Sequence, residues 1–164
     1  MDIMYILSLC HFTVALFFIF YGILFRRSRF DYLILLLIFI TLLSWTLYKG
    51  ECPISYYLKK SNDPNYKLGS NLYSKDMWIL FGEKYIPYFK IFFTTFSPLI
   101  QTITIYLLLK RQKFNLLETL FYPILYYAYF HIKFLQIDKI NLFFTFVFVF
   151  ILYRIVKQFF KNFK

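Results

Sequence analysis

Lys49-Gly50-Glu51-Cys52-Pro53-Ile54-Ser55-Tyr56-Tyr57-Leu58-Lys59-Lys60 opens the one long polar interruption in this sequence, which continues to Tyr88. Apolar runs of bilayer-crossing length lie on either side of it. That contrast decides the fold class: an all-α integral membrane bundle of about five transmembrane helices with one structured extracytoplasmic loop. The whole chain, 1–164, reads as a single membrane domain.

Upstream of the loop, Ile3 to Phe25 carries no formal charge. At about 1.5 Å per residue it reaches about 34 Å, enough for about 30 Å of hydrocarbon. A cleaved signal peptide would want a basic start and a small-residue cleavage site. Instead Asp2 precedes the run and Arg26-Arg27-Ser28-Arg29 follows it. That pattern predicts an uncleaved helix with its N-terminus outside. Asp31 opens the second run, 32–48, which closes on Trp45 and Tyr48, rings suited to the headgroup level.

Within the loop, Pro53 suits the first position of a short helix, where its missing N–H has no partner to lose. Ile54, Tyr57 and Leu58 form an i, i+3, i+4 apolar stripe, and Lys59-Lys60 favours the C-terminal dipole. Asn62-Asp63-Pro64-Asn65 and Gly69-Ser70-Asn71 are turn chemistry. Asp76 is placed to cap a second short helix, Met77 to Phe81, which Gly82 ends. The loop therefore reads as compact and lying on the membrane surface.

Downstream come spans at 91–109, 116–132 and 140–156, with a basic amphipathic tail at 154–164. Pro98 predicts a kink in the first of these. The second contains Glu118, Pro123 and His131 and is the least regular of the five. Arg26, Arg27 and Arg29, then Lys110, Arg111 and Lys113, then the tail all fall on one side of a five-span chain. The positive-inside rule makes that side cytoplasmic and leaves the 49–88 loop outside or lumenal.

Composition agrees with the membrane class. Of 164 residues 60% are hydrophobic, against the roughly 45–50% usual in soluble domains. The net charge of +11 lies beside apolar runs and is explained by orientation; no nucleic-acid-binding signature accompanies it. The partners expected are the lipid bilayer, with anionic lipid at the tail, and a protein partner or a second copy of the chain.

Four groups of residues are candidates for function. Glu51 and Cys52 form a candidate loop site, because a thiol at a helix N-terminus is disposed to ionise. Glu51 opposes that ionisation and the loop has no histidine to act as base, so a structural cysteine is the plainer reading. A disulfide with Cys10 is the other alternative. Two cysteines alone make no zinc site, and no cofactor or metal is expected.

Ionisable groups inside spans are the second group. Glu118, His131, Lys133 and Arg154 can snorkel to an interface, and His11 is the one close to mid-depth. Third are two polar stripes. Thr94, Ser97, Gln101 and Thr104 share one face of the third span; Glu118, Tyr122, Tyr126 and Tyr129 share one face of the fourth. These faces are expected to pack on each other, with a polar path as the alternative. No GxxxG pattern is present, so bulky aromatic packing is expected throughout. Last, Arg154, Lys157, Lys161 and Lys164 line one side of the tail, a membrane-surface stripe opposite Phe159, Phe160 and Phe163.

Trp45-x6-Cys52-Pro53-Ile54-Ser55-Tyr56-Tyr57-Leu58-Lys59-Lys60, followed by Asp63-Pro64-Asn65-Tyr66-Lys67-Leu68-Gly69, resembles small uncharacterised multi-pass membrane proteins of giant DNA viruses. The resemblance implies a membrane location in an infected cell or virion and supplies no catalytic residue. A Trp…Cys-Pro-Leu-Thr pattern in some bacterial membrane proteins is distantly similar. The sequence shows no triad, phosphate loop or metal cluster. The function expected is therefore a non-enzymatic membrane-organising or partner-binding protein. The alternative is a small transporter or channel using the two polar faces. An enzyme with Cys52 as nucleophile is the third reading.

Overall fold

The computed structural model describes residues 3–72, 76–135 and 137–162, and among them it is all-helical. Four helices are long and apolar enough to cross a membrane by length and composition: Ile3–Leu24, Phe30–Leu47, the continuous stretch Glu83–Arg111, and Asp138–Asn162. They are labelled α1 (Ile3–Leu24), α2 (Phe30–Leu47), α6 (Ser97–Arg111, the end of the third) and α8 (Asp138–Asn162). Between the last two runs α7, Leu116–Ile132, whose 17 residues reach about 25 Å. The cap carries α3 (Pro53–Asn62), α4 (Asp76–Phe81) and α5 (Ile86–Ile91).

Five antiparallel passes result. α1 begins, and α2 and α7 end, at the cap end; α1 ends, and α2 and α7 begin, at the opposite, tail end. α2 packs chiefly on α8, while α1 packs on α6 and α6 on α7. Tyr32, Leu35, Phe39, Tyr126, Tyr129, Phe148 and Ile151 fill the middle. Most outward residues are large and apolar, as hydrocarbon surroundings require.

Local chemistry explains the boundaries. Lys49 (φ 52°) and Lys113 (φ 57°) each terminate a helix in the left-handed region, and the next amides reach back five residues: Gly50 N–H to Trp45 and Phe114 N–H to Leu109. Asn115 and Glu118 form a reciprocal capping box that starts α7. Pro98 sits just after a π-helical turn, Phe92–Phe96, so the wider turn accommodates the amide it lacks.

Several expectations change. The tail is no separate surface helix; Arg154, Lys157 and Lys161 continue α8 to Asn162, because Phe159 packs on Tyr32 inside the bundle. Arg154 and Glu118 do not snorkel apart but pair across α7 and α8 at 2.6 Å. Close backbone contact also occurs without a GxxxG pattern. A Cβ on Gly22 would stand 2.9 Å from both the Cα and the carbonyl oxygen of Thr104, so α1 and α6 touch there. Aromatic packing holds elsewhere, as where Phe12 of α1 meets Phe81, Phe89 and Phe93 edge-on. Asp2, Phe163, Lys164 and the Asp76 side chain lie outside the described part.

Candidate functional site

The polar stretch 49–71 folds around one carboxylate. Glu51 is fully buried, and its Oε1 accepts from Lys59 Nζ at 2.6 Å and from the Tyr66 hydroxyl at 3.0 Å. Its Oε2 accepts from the Gly69 amide at 3.0 Å. Lys59 also donates to the Asn71 carbonyl and lies over the Tyr66 ring. A charge taken out of water needs a partner and filled lone pairs, and Glu51 has both. Gly69 fits because its φ of 83° favours glycine. Tyr48, Tyr56 and Tyr57 pack edge to face beside this centre, and Tyr66 meets Tyr56 at a tilt. Glu51 is thus the structural member of the Glu51–Cys52 pair.

Cys52 has a different setting. It caps α3 from an extended conformation, and its Sγ lies 3.3 Å from Nε2 of His11 on α1. The histidine that the loop lacks comes from the first helix, brought under the cap. Burial works against ionisation of the Cys52 thiol. His11 and the Ser55 and Ile54 amides at the helix start outweigh it and hold the thiol below its ordinary range. Cys10 is exposed and unbonded, so the two cysteines do not pair.

Lys133 completes the cluster from the end of α7. Its Cβ and carbonyl press on Gly50, and its ammonium lies 3.7 Å from the centre of the Trp45 ring and 4.4 Å from that of Phe130. Burial pulls its pKa down to about 7, while the charge of Cys52 raises it. The ring faces also favour the ammonium. Expected to snorkel, Lys133 is instead 6% exposed and held on aromatic faces.

Ser8 Oγ, Ser55 Oγ and Trp45 Nε1 are buried without a hydrogen-bond partner among the described residues. Ser8 stands one turn from His11 on α1, and Ser55 one turn from Cys52 on α3, each pair on one helical face. Leaving such groups unmet costs about 1–3 kcal/mol apiece. A water or ligand polar atom would relieve that cost. These matched pairs, Ser8 with His11 and Cys52 with Ser55, were the sequence signal for the meeting of α1 and α3.

The polar stripes are engaged with partners. Tyr126 donates to Gln101 at 3.1 Å, the one hydrogen bond joining the two faces among the described residues. Thr104 donates to the Ile19 carbonyl of α1 at 2.6 Å, and Thr94 to Lys90 within its own helix. Ser97 is buried. Tyr122 donates to Glu118, and Tyr129 to Asn141 of α8 at 3.5 Å. The stripes therefore bind α1 and α8 as well as each other. At the tail end Asp31, fully buried, accepts from Gln112 Nε2 at 2.8 Å and from the Tyr21 hydroxyl at 3.3 Å.

Among the described residues no three His, Cys, Asp or Glu side chains gather as a metal site. No family model, no curated protein and no solved structure matches the chain.

Proposed function

We propose that this is a multi-pass integral membrane protein with its N-terminus and cap outside or lumenal and its C-terminus cytoplasmic. Its working part is the thiol site beneath the cap. The observation that carries the reading is the 3.3 Å contact between Cys52 Sγ and His11 Nε2. A reactive Cys52 lacked a histidine within the loop, and His11 of α1 is placed to act as that base.

The chemistry that fits is acyl transfer. His11 takes the Cys52 proton, and the thiolate attacks the carbonyl carbon of an ester or thioester presented at the membrane surface. A sulfur–carbon bond forms and the bond to the leaving group breaks. The leaving alcohol or thiol takes the proton from the His11 imidazolium. Water then releases the acid and restores the thiol. Lys133 and the α3 amides supply positive potential around the thiolate.

The test is a fluorescent acyl thioester incubated with the purified, reconstituted chain. A hydroxylamine-labile adduct on Cys52, absent in Cys52→Ser and formed at least about tenfold more slowly in His11→Gln, is expected. An absence of adduct sinks the reading. Orientation is tested separately, with cysteines introduced at Ser28, Ser70 and Asn162 and an impermeant label. Inside, outside, inside is expected; Ser70 and Asn162 on the same side would remove a span.

A second reading, a partner-binding protein, draws on the outward aromatic surface of the cap. Tyr57 and Tyr88 are 60% and 70% exposed, and tyrosine is enriched in interfaces. Retention of a specific partner after the Tyr57→Ala and Tyr88→Ala changes would count against it. The transporter reading gains nothing from stripes whose polar groups are engaged with their neighbours.

A further inference from the structure

At the tail end, far from the thiol site, two basic turns read from the sequence as topology signals, with Asn162 at the end of α8, close on one cavity of about 400 Å³. Arg27 and Arg29 come from the α1–α2 turn and Lys113 from the α6–α7 turn, and all three are exposed. Buried Tyr32 and Gln112 form the floor. Among the described residues no carboxylate lines the cavity, and none of the three cations pairs with one. Asp31, two residues after Arg29, is engaged with Gln112 and Tyr21.

The floor is fixed. Gln112 Nε2 donates to the Ser28 carbonyl at 2.9 Å and to Asp31, while Tyr32 donates to the Gln112 carbonyl at 3.3 Å. Asn162, at the end of α8, donates to the Tyr32 hydroxyl. Such a floor holds the turns bearing Arg27, Arg29 and Lys113 in place without neutralising them. Guanidinium groups suit phosphate oxygens, which they engage through two parallel N–H donors. Exposed apolar neighbours, Phe30 and Leu116, put hydrocarbon contacts beside the cations.

We propose that this cavity binds a phosphate ester, carried on a lipid headgroup or free in solution. It is independent of the thiol site and of which membrane face it occupies. The test uses the full chain in phosphatidylcholine nanodiscs, titrated with a fluorescent phosphatidylinositol phosphate. Saturable binding is expected, about tenfold or more tighter than for fluorescent phosphatidylcholine. Arg27→Gln, Arg29→Gln and Lys113→Gln together should remove that preference. Arg26→Gln, Lys157→Gln and Lys161→Gln, an equal loss of charge outside the cavity, should change it less than about twofold.

Soluble inositol trisphosphate and inorganic phosphate form the second arm. Competition by either at micromolar concentration identifies a free phosphate ester as the ligand; lipid binding that neither displaces identifies the headgroup. Equal binding of both lipids with no binding of the soluble phosphates overturns the proposal. So does an equal loss in the two triple variants, which would leave only the general attraction of a basic surface. Matched melting temperatures of the two variants separate loss of binding from loss of fold.

Discussion

The Lys133 ammonium stands 3.7 Å from the centre of the Trp45 ring, so a cation from the end of α7 is held on an aromatic face from the end of α2. The two helices are thereby joined at the cap end by a contact that hydrocarbon-facing residues could not supply. Burial holds the Lys133 pKa near 7, against 10.5 ordinarily.

That difference fixes a pH dependence. Between about pH 7 and about pH 10.5 the unfolded chain binds a proton at Lys133 that the folded chain does not, so stability rises with pH across that window. The slope approaches about 1.4 kcal/mol per pH unit at most. Cys52, with its thiol pKa lowered, acts in the same direction. Thermal unfolding in detergent should show the rise, and Lys133→Met should flatten most of it. An unchanged slope in that variant would show that Lys133 is not held as described.

Glu51 and Lys59 are both buried, so removing one strands the other. Lys59→Met should destabilise the cap by about 3–5 kcal/mol, and Glu51→Gln with Lys59→Met should recover most of it. The readout is proteolysis between Asp63 and Ser70, fast in the single variant and slow in the double. Equal cleavage of the single variant and the parent would refute the ion pair's role.

Gly22 leaves no room for a side chain against Thr104. Gly22→Ala should push α1 from α6 and cost about 1–3 kcal/mol, read as a lower melting temperature. Tolerance of leucine at this position would mean that the two helices are not in backbone contact.

Glu118 and Arg154 pair at 2.6 Å, with the arginine side chain 32% exposed. Arg154→Met should cost about 1–3 kcal/mol, below the figure for a sealed pair because water screens the arginine. Glu118→Gln should suppress that loss when the two changes are combined. Additive effects in the double variant would exclude a direct interaction.

The span positions were legible because bilayer-length apolarity is a local property of the chain. The helix expected over 116–132 has the bounds of α7, and Asn115 and Glu118 mark its start through a capping spacing. The helix of the cap was legible in the same way, since Pro53 acts at its first turn, whereas Lys59 and Lys60 turned out to reach outside it, to Glu51 and to Pro64. What escaped the sequence was always a matter of neighbours. His11 lies 41 residues from Cys52, and only the packing of the cap on α1 brings the two together. Arg154 was read by depth, and Glu118 and Lys133 by depth and by a stripe facing the third span, whereas the packed bundle gives Lys133 the Trp45 ring and pairs Glu118 with Arg154 of α8. Asp31 looked like a helix-opening residue and is an anchor for Gln112.

The pairing of α1 with α6 and α2 with α8 bears on how the molecule is made. The first two helices leave the ribosome as a hairpin yet barely touch each other. α1 meets the cap first, through Cys52 and Phe81, and gains the bond from Thr104 to Ile19, 85 residues on, while Tyr32 waits 130 residues for Asn162. α2 must therefore wait for α8 before its main packing face is covered. A chain truncated before α8 would keep the α1–α6–α7 contacts and leave α2 without its chief partner.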